Sequence, residues 1–441
     1  MKRLVVWWDD RPVGALTQDS GGALGFCYDL GWLEDAGAPA ISASLPKRPK
    51  PFTRRECRPF FSGLLPEGGQ RSAAAEALGI SVANDFAFLD RLGGEIAGAL
   101  QFLPQGERPR SAGAALPPRL LDDRDLASIL ERLPRRPLLA GEEGLRLSLA
   151  GAQSKLPVVV QEGAIALPAP GQPTTHILKP PIARFDATTE NEAFAMGLAA
   201  AVHLEAAPVQ ARLLRLDEAR PRAFLLVERY DRARDGGGRV RRLHQEDFCQ
   251  ALGVPVERKY QAEGGPGLGD GFALLRRIAS RPAADVLRLL DAVIFNALIG
   301  NADAHGKNFS ILYLEAGPTL APLYDLLTTV IYPDLSPRFA MKVGRAARLE
   351  ELDARAWAEF AAKAGLGFPL VRRRVREVAE AIIQSAPDVA GSWVDAGLDP
   401  AALERISALV GGRARMGLKS LARSDRLTPG SVSPSPPRSP R

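Results

Sequence analysis

The chain has 441 residues, 46% of them hydrophobic and 24% charged, which suits a soluble globular protein of two or three domains. Its net charge of +6 points toward nucleic acid, but seven basic residues against one acid from Gly411 onward carry the whole excess, so residues 1–410 are net neutral and a folded DNA-binding surface is not indicated. Three scattered cysteines (Cys27, Cys57, Cys249) form neither a disulfide framework nor a metal knuckle, and no run of 18 uncharged apolar residues offers a membrane span, so a cytoplasmic chain with no membrane partner is expected.

In chain order, residues 3–8 and 13–17 read as two strands around the turn at Asp9–Pro12. Helical spacing follows over 72–78 and 85–92, and 100–103 reads as a closing strand. Residues 1–104 therefore form a β-rich subdomain. Residues 105–121, rich in Pro, Gly, Arg, Ser and Ala, suit a mobile linker. A helix over 122–133 opens a second unit that extends to 242. There 146–150 and 156–160 are expected to pair as a hairpin, 176–179 and 223–228 are strands, and 190–203 is a helix capped by Thr188 or Thr189. From 243 to 410 the apolar spacing is mostly helical. The run 286–300 is broken by Arg288, Asp291 and Asn296 and reads as a buried helix. Residues 411–441 read as a basic, largely disordered tail.

The most informative segment is Gly300-Asn301-Ala302-Asp303-Ala304-His305-Gly306-Lys307-Asn308-Phe309-Ser310. It places an Asp and an Asn five residues apart on a loop between an apolar helix and a short strand. Phosphoryl transfer needs a carboxylate near the attacking hydroxyl and an oxygen ligand for Mg²⁺, and the protein-kinase catalytic loop supplies both at this spacing. Further on, Asp325 in Ala-Pro-Leu-Tyr-Asp-Leu-Leu ends an apolar stretch read as a strand and offers the second Mg²⁺ ligand; a strand-end cap is the ordinary alternative. Upstream, Lys179 ends a strand and can pair with ATP phosphates and with a helix glutamate, either Glu190 or Glu192, of which Glu192 opens the apolar face. Ala150, Gly151, Ala152 and Gln153 form a small-residue turn whose backbone N–H groups could approach phosphate oxygens, although a plain hairpin turn has the same composition. The strand ending at Glu228 leads into Arg229 and Tyr230, where a kinase has its interlobe hinge; an edge strand reads the same way.

These segments resemble the HipA family of serine/threonine kinases, the toxin half of bacterial toxin–antitoxin pairs. The resemblance rests on Ser148–Lys155, His176–Pro180, Val227–Arg232, Leu243–Phe248, Gly300–Ser310, Tyr324–Leu327 and Phe339–Gly344. In the first subdomain it rests on Phe60-Phe61-Ser62-Gly63-Leu64-Leu65-Pro66-Glu67-Gly68. It implies an α+β, two-lobe, protein-kinase-like fold related to the phosphatidylinositol kinases. It also implies ATP and Mg²⁺ as cofactors, with Asp303 the catalytic base and Asn308 and Asp325 the metal ligands. Lys179 and the 150–153 turn would hold phosphates, and Glu228 and Tyr230 would meet adenine. Ser148 matches a serine that family members autophosphorylate to shut themselves off. Lys307 could reach the γ-phosphate or face solvent, and His305 could be structural or a transition-state donor. The implied partners are a helix-turn-helix antitoxin, operator DNA reached mainly through it, and a protein substrate such as an aminoacyl-tRNA synthetase. A catalytically silent co-repressor scaffold and a kinase for a lipid or small molecule are the alternatives. Ser154, often charged in relatives, and the Pro/Ser/Arg tail depart from the family pattern.

Overall fold

A computed structural model describes residues 1–110, 117–214 and 222–424. The first hundred residues fold as a four-stranded antiparallel sheet backed by four helices. Strands β1 (Lys2–Trp8), β2 (Arg11–Gln18), β3 (Leu24–Tyr28) and β4 (Leu100–Pro104) lie in the order β3-β2-β1-β4. Against them pack α1 (Leu30–Glu34), α2 (Arg54–Ser62), α3 (Gly68–Leu78) and α4 (Asp85–Leu92). The alternating pattern of β3, with Leu24, Phe26 and Tyr28 buried, aims one face at Phe52, Phe60 and Phe61.

The segment expected to be a linker already belongs to the next unit at its far end. Arg119–Leu120 (β5) pairs with Ala166–Leu167 and leads into α5 (Asp123–Arg132), whose N-cap is Asp122 in a reciprocal capping box with Asp125. Residues 111–116 of that segment lie outside the described residues. The six-stranded N-lobe sheet runs β5-β7-β6-β8-β10-β9, built from β6 (Leu156–Gln161), β7 (Ala164–Leu167), β8 (His176–Lys179), β9 (Val209–Leu214) and β10 (Arg222–Glu228). The expected hairpin of 146–150 with 156–160 does not form. Strand β6 pairs with β7 across the Glu162–Gly163 turn and with β8 on its other side, while residues 147–151 run beside the first subdomain through bridges Glu95↔Leu147 and Pro66↔Gly151. Helix α6 (Thr188–Ala201) crosses behind the sheet; its cap is Ala187 at φ 53°, not a threonine, because Thr188 and Thr189 are buried in the first turn and the Thr188 hydroxyl accepts from Ile182 N.

The apolar residues of the first subdomain and of the N-lobe sheet form one core. Leu4, Phe61 and Phe102 join Leu156, Leu178 and Leu226 in a single packed cluster. The two units are therefore fused through their interiors rather than tethered.

Beyond the hairpin of β11 (Arg232–Arg234) and β12 (Val240–Arg242), the C-lobe is mainly helical, but it begins with a strand, β13 (His244–Asp247). Short α7 (Phe248–Ala251), α8 (Leu268–Ile278) and the buried α9 (Pro282–Ile299) follow. Strand β13 pairs with β14 (Ser310–Leu314), and β14 with β15 (Gly317–Leu320). A second hairpin, β16 (Arg338–Val343) and β17 (Ala346–Arg348), precedes α10 (Ala354–Lys363), α11 (Phe368–Asp395) and α12 (Pro400–Ser424). Helix α12 corrects the reading of 411–441 as a disordered tail. Ile406, Val410, Ala414 and Leu421 recur at helical spacing, are buried, and join the C-lobe core with α11 and α9. Arginines at 413 and 415 masked that stripe in the sequence. Residues 425–441 lie outside the described residues.

Candidate functional site

Between the lobes lies a cleft of about 810 Å³, lined by Ala150–Gln153, Lys155, Lys179, Glu228, Tyr230, Asp303, Lys307, Asn308 and Asp325. Each wall is set by local chain geometry. Strand β8 is buried at Leu178 and Lys179 and delivers the lysine as its last residue. Lys179 Nζ meets Glu192 Oε1 of α6 at 2.5 Å and Asp325 Oδ1 at 2.8 Å. Glu192, not Glu190, is thus the helix partner. Burial alone would lower the Lys179 ammonium, but Asp325 and Glu192 outweigh it and hold it well above the ordinary lysine range.

Asp325 does not end a strand. It sits on an irregular segment at φ 59°, a left-handed conformation that turns its carboxylate back into the cleft. Burial would raise that carboxyl, but Lys179 and then Lys155 overcome it and keep it ionised well below the usual range. Its second oxygen accepts from Asn308 Nδ2 at 3.1 Å. Asn308 belongs to a short 3₁₀ turn (Gly306–Asn308), and its Oδ1 accepts from His305 N at 3.2 Å, which leaves one lone pair on that oxygen. An ionised carboxylate beside an amide oxygen, both lining the cleft, is a donor set that fits Mg²⁺, which takes few protein oxygens and completes its shell with water and phosphate. Among the described residues no group of three or more His, Cys, Asp or Glu could hold a metal by itself.

Helix α9 stops at Gly300, whose φ of +82° closes the helix and whose missing side chain admits Val330 Cγ2 and Arg413 Nε of α12; a Cβ there would lie 2.4 Å from the valine. The loop that follows carries Asp303 to the open side of the cleft, where Tyr260 Oη donates to its Oδ1 at 2.9 Å. Asp303 is solvent-exposed, yet the neighbouring cleft walls raise its carboxyl, with Tyr260 and Lys259 acting against that. His305 is buried, edge-on to Tyr260 with ring centres 5.3 Å apart, and burial with nearby Lys259 pushes its imidazole down to about 3. Its ring is therefore uncharged near neutral pH, and its Nδ1 is buried without a hydrogen-bond partner.

Two sequence expectations gain detail. Lys307 is buried and gives its ammonium to Asp247 Oδ2 at 2.5 Å and to the Gly63 carbonyl at 3.1 Å, so in this state it ties the loop to the first subdomain instead of reaching freely toward a phosphate. Tyr230 lines the cleft with its ring tilted on Tyr324 and its hydroxyl donating to Gln245. Glu228 ends β10 with its side chain exposed and its N–H given to the Pro208 carbonyl.

Ala150–Gln153 do face the cleft. Gly151 at φ +113° packs with Lys155 Nζ so close that a Cβ would lie 2.6 Å from it, and Lys155 in turn donates to the Ala150 carbonyl at 2.8 Å. The loop is clipped to the first subdomain: Glu67 N donates to Gly151 O, Ser148 N to Glu95 O, and the buried Ser148 hydroxyl to Leu64 O at 2.9 Å.

Sequence reasoning assigned no role to Glu67, Lys155, Asp247, Lys259 or Tyr260, all of which stand at or beside the cleft. Glu67, Lys155 and Asp247 lie inside stretches already singled out for resemblance, and for Glu67 a charged residue within the apolar run Phe60–Gly68 was the available signal. Lys259 and Tyr260 sit on an irregular loop that carries no pattern.

Residues 147–390 match the family model described as HipA-like C-terminal domain, and residues 4–103 match the HipA N-terminal domain. The chain is 59% identical over 416 residues to the Sinorhizobium fredii protein named "Putative kinase Y4mE", covering 94% of this chain and 98% of that protein. It is 31% identical over 362 residues to the serine/threonine-protein kinase toxin HipA of Shewanella oneidensis, covering 76% of this chain and 79% of that one. Among solved structures it is similar to the Shewanella oneidensis toxin–antitoxin complex of HipA, HipB and operator DNA, with a TM-score of 0.82 and 26% identity over 96% of this chain and 99% of the matched chain. With both family models matched in order and such relatives along nearly its whole length, the chain belongs to the HipA family and has its two-lobe, kinase-like fold.

Proposed function

We propose that this chain is a serine/threonine protein kinase that moves the γ-phosphate of ATP to a protein hydroxyl. The observation that carries it is the convergence of Lys179, Glu192, Asp325 and Asn308 on one wall of the cleft, facing the Ala150–Gln153 turn, with Asp303 at the open side. Lys179 and Lys155 meet phosphate oxygens, and the turn covers them with backbone N–H groups. The Glu228–Tyr230 segment receives adenine. Asn308 and Asp325 would hold Mg²⁺, which would supply positive charge at the phosphate oxygens. The acceptor oxygen attacks the γ-phosphorus, the bond from that phosphorus to the β–γ bridging oxygen breaks, ADP leaves, and Asp303 takes the hydroxyl proton.

Ser148 is the self-inactivation site in this reading. Its hydroxyl is buried against Leu64 O, so phosphorylation requires the loop to leave the cleft, and about two added negative charges then oppose its return. A HipB-like helix-turn-helix antitoxin is the partner, with operator DNA reached mainly through it, and an aminoacyl-tRNA synthetase is a candidate target.

The test is mass spectrometry of the purified protein and of Asp303→Ala after incubation with ATP and Mg²⁺. Phosphate on Ser148 in the wild type alone is expected. If neither protein gains phosphate nor labels a lysate, the kinase reading is wrong and a co-repressor scaffold takes its place.

A further inference from the structure

The loop of residues 255–267 joins α7 to α8 and contains two single 3₁₀ turns, Val256–Arg258 and Gln261–Glu263. It is fastened at both ends of its span. On the first subdomain, Glu257 meets Arg58 at 2.5 Å and Lys259 Nζ meets Glu67 Oε2 at 2.8 Å. On the C-lobe, Gln261 Oε1 accepts from Lys342 N at 2.8 Å. Between these anchors Tyr260 packs edge-on against His305 and donates to Asp303 Oδ1 at 2.9 Å.

Three features separate this from an incidental contact. The bond ends on the carboxylate whose orientation decides proton transfer, and a carboxylate held by one oxygen keeps the other for an acceptor hydroxyl. Glu67, the residue that anchors Lys259, is about nine-tenths buried at the cleft; its Oε1 has no hydrogen-bond partner and lies 3.8 Å from Lys307 Nζ of the catalytic loop. The backbone N–H of the same Glu67 holds the Gly151 carbonyl of the phosphate-covering turn. A single turn of the first subdomain thus touches both the phosphate side and, through Lys259 and Tyr260, the acceptor side of the cleft.

We infer that Tyr260 is a positioning residue for the catalytic carboxylate Asp303, and that Glu67 of the first subdomain sets Tyr260 in place through Lys259. This rests on the kinase reading above. It makes the N-terminal subdomain a working part of the acceptor site as well as a support for the fold.

The experiment compares full-length wild type, Tyr260→Phe, Glu67→Gln and the double variant, with a mixed serine/threonine peptide library as acceptor. Turnover is measured at saturating ATP and Mg²⁺, and nucleotide affinity by titration with a fluorescent ATP analogue. Tyr260→Phe keeps the ring against His305 and removes only the donor. Its turnover should fall about tenfold or more, the scale of a hydrogen bond to a charged group, with nucleotide affinity and melting temperature unchanged. Glu67→Gln should cost several-fold in turnover in the wild-type background and little in the Tyr260→Phe background, because both act on Asp303 through one chain of contacts. Turnover of Tyr260→Phe equal to wild type overturns the inference. A rise overturns it too, since the phenol would then be occupying the acceptor's place. Effects of the two changes that simply multiply overturn the Glu67 link. No transfer by the wild type overturns the kinase reading itself, and this inference with it.

Discussion

Two clusters of buried charge lie close together in this molecule and behave oppositely. At the junction of the first subdomain with the β11–β12 hairpin, Glu95 accepts from Arg232 at 2.7 Å, from Arg242 at 2.6 and 2.8 Å, and from both the backbone and the hydroxyl of Thr174. Asp231 beside it takes Arg229 and Gly98 N. Burial would raise the Glu95 carboxyl, but the three guanidinium groups hold it far below the usual range. Arg229 and Asp231 of that cluster border the cleft, but their charged atoms are taken up by each other, by Glu95 and by backbone groups. In the cleft, Lys179, Glu192 and Asp325 use the same chemistry, yet Asp325 and Asn308 open onto space. Where every donor and acceptor is consumed by protein, charge fixes a junction. Where part of it stays open, charge can be lent to a ligand.

That contrast is sharpest under substitution. Asp325→Asn keeps the side chain's shape and leaves Lys179 with Glu192. Transfer from ATP should fall on the order of a thousandfold in a steady-state assay, the scale of losing a preorganised charge at the reacting phosphate, while the melting temperature moves little. Glu95→Gln should do the reverse. It leaves Asp231 to Arg229 and Arg232, takes the carboxylate from Arg242, and should cost about 3–5 kcal/mol in urea unfolding. Should Asp325→Asn unfold as easily as Glu95→Gln, the division between the clusters is wrong.

A third carboxylate tests the rule from an unpaired position. Glu246 accepts from Ser42 Oγ and Ala43 N of the first subdomain and from Tyr313 Oη, with no cation among these partners. Burial pushes its carboxyl up to about 7 against those three donors. The folded state therefore binds this proton more tightly than the unfolded chain does. The stability it gives is complete below the ordinary glutamate range and is lost as pH rises through 7. Thermal unfolding of wild type between pH 5 and pH 8 should show that loss, on the order of 2 kcal/mol, and Glu246→Gln, which cannot ionise, should flatten it. An identical pH slope in the variant would assign the dependence elsewhere.

Much of the site was legible in the sequence because it lies in short, locally determined pieces. Lys179 ends a strand whose bounds the residues themselves mark, and Asp303 and Asn308 follow an apolar helix stopped by a glycine. The choice of Glu192 over Glu190 followed from the apolar face of α6, and Lys179 meets it. The errors fall where partners are distant. Residues 146–150 have strand composition, but their neighbours are Glu95 and Leu64, about fifty to eighty-five positions away. Asp325 reads as a strand end, yet a left-handed backbone angle aims it. Helix α12 was hidden because arginines interrupt its apolar stripe, and only packing against α9 and α11 shows which side is inside.

The sequence by itself determined the order of elements, the loop chemistry and the family, since these depend on residues within a few positions of one another. Only the tertiary structure decided that the first subdomain shares the N-lobe core, clips the Ala150–Gln153 turn through Glu67 and contacts Asp303 by way of Lys259 and Tyr260. The physical reason is that hydrogen bonds and ion pairs across hundreds of residues leave no periodicity in the chain. They exist once the two cores have been brought together by burial.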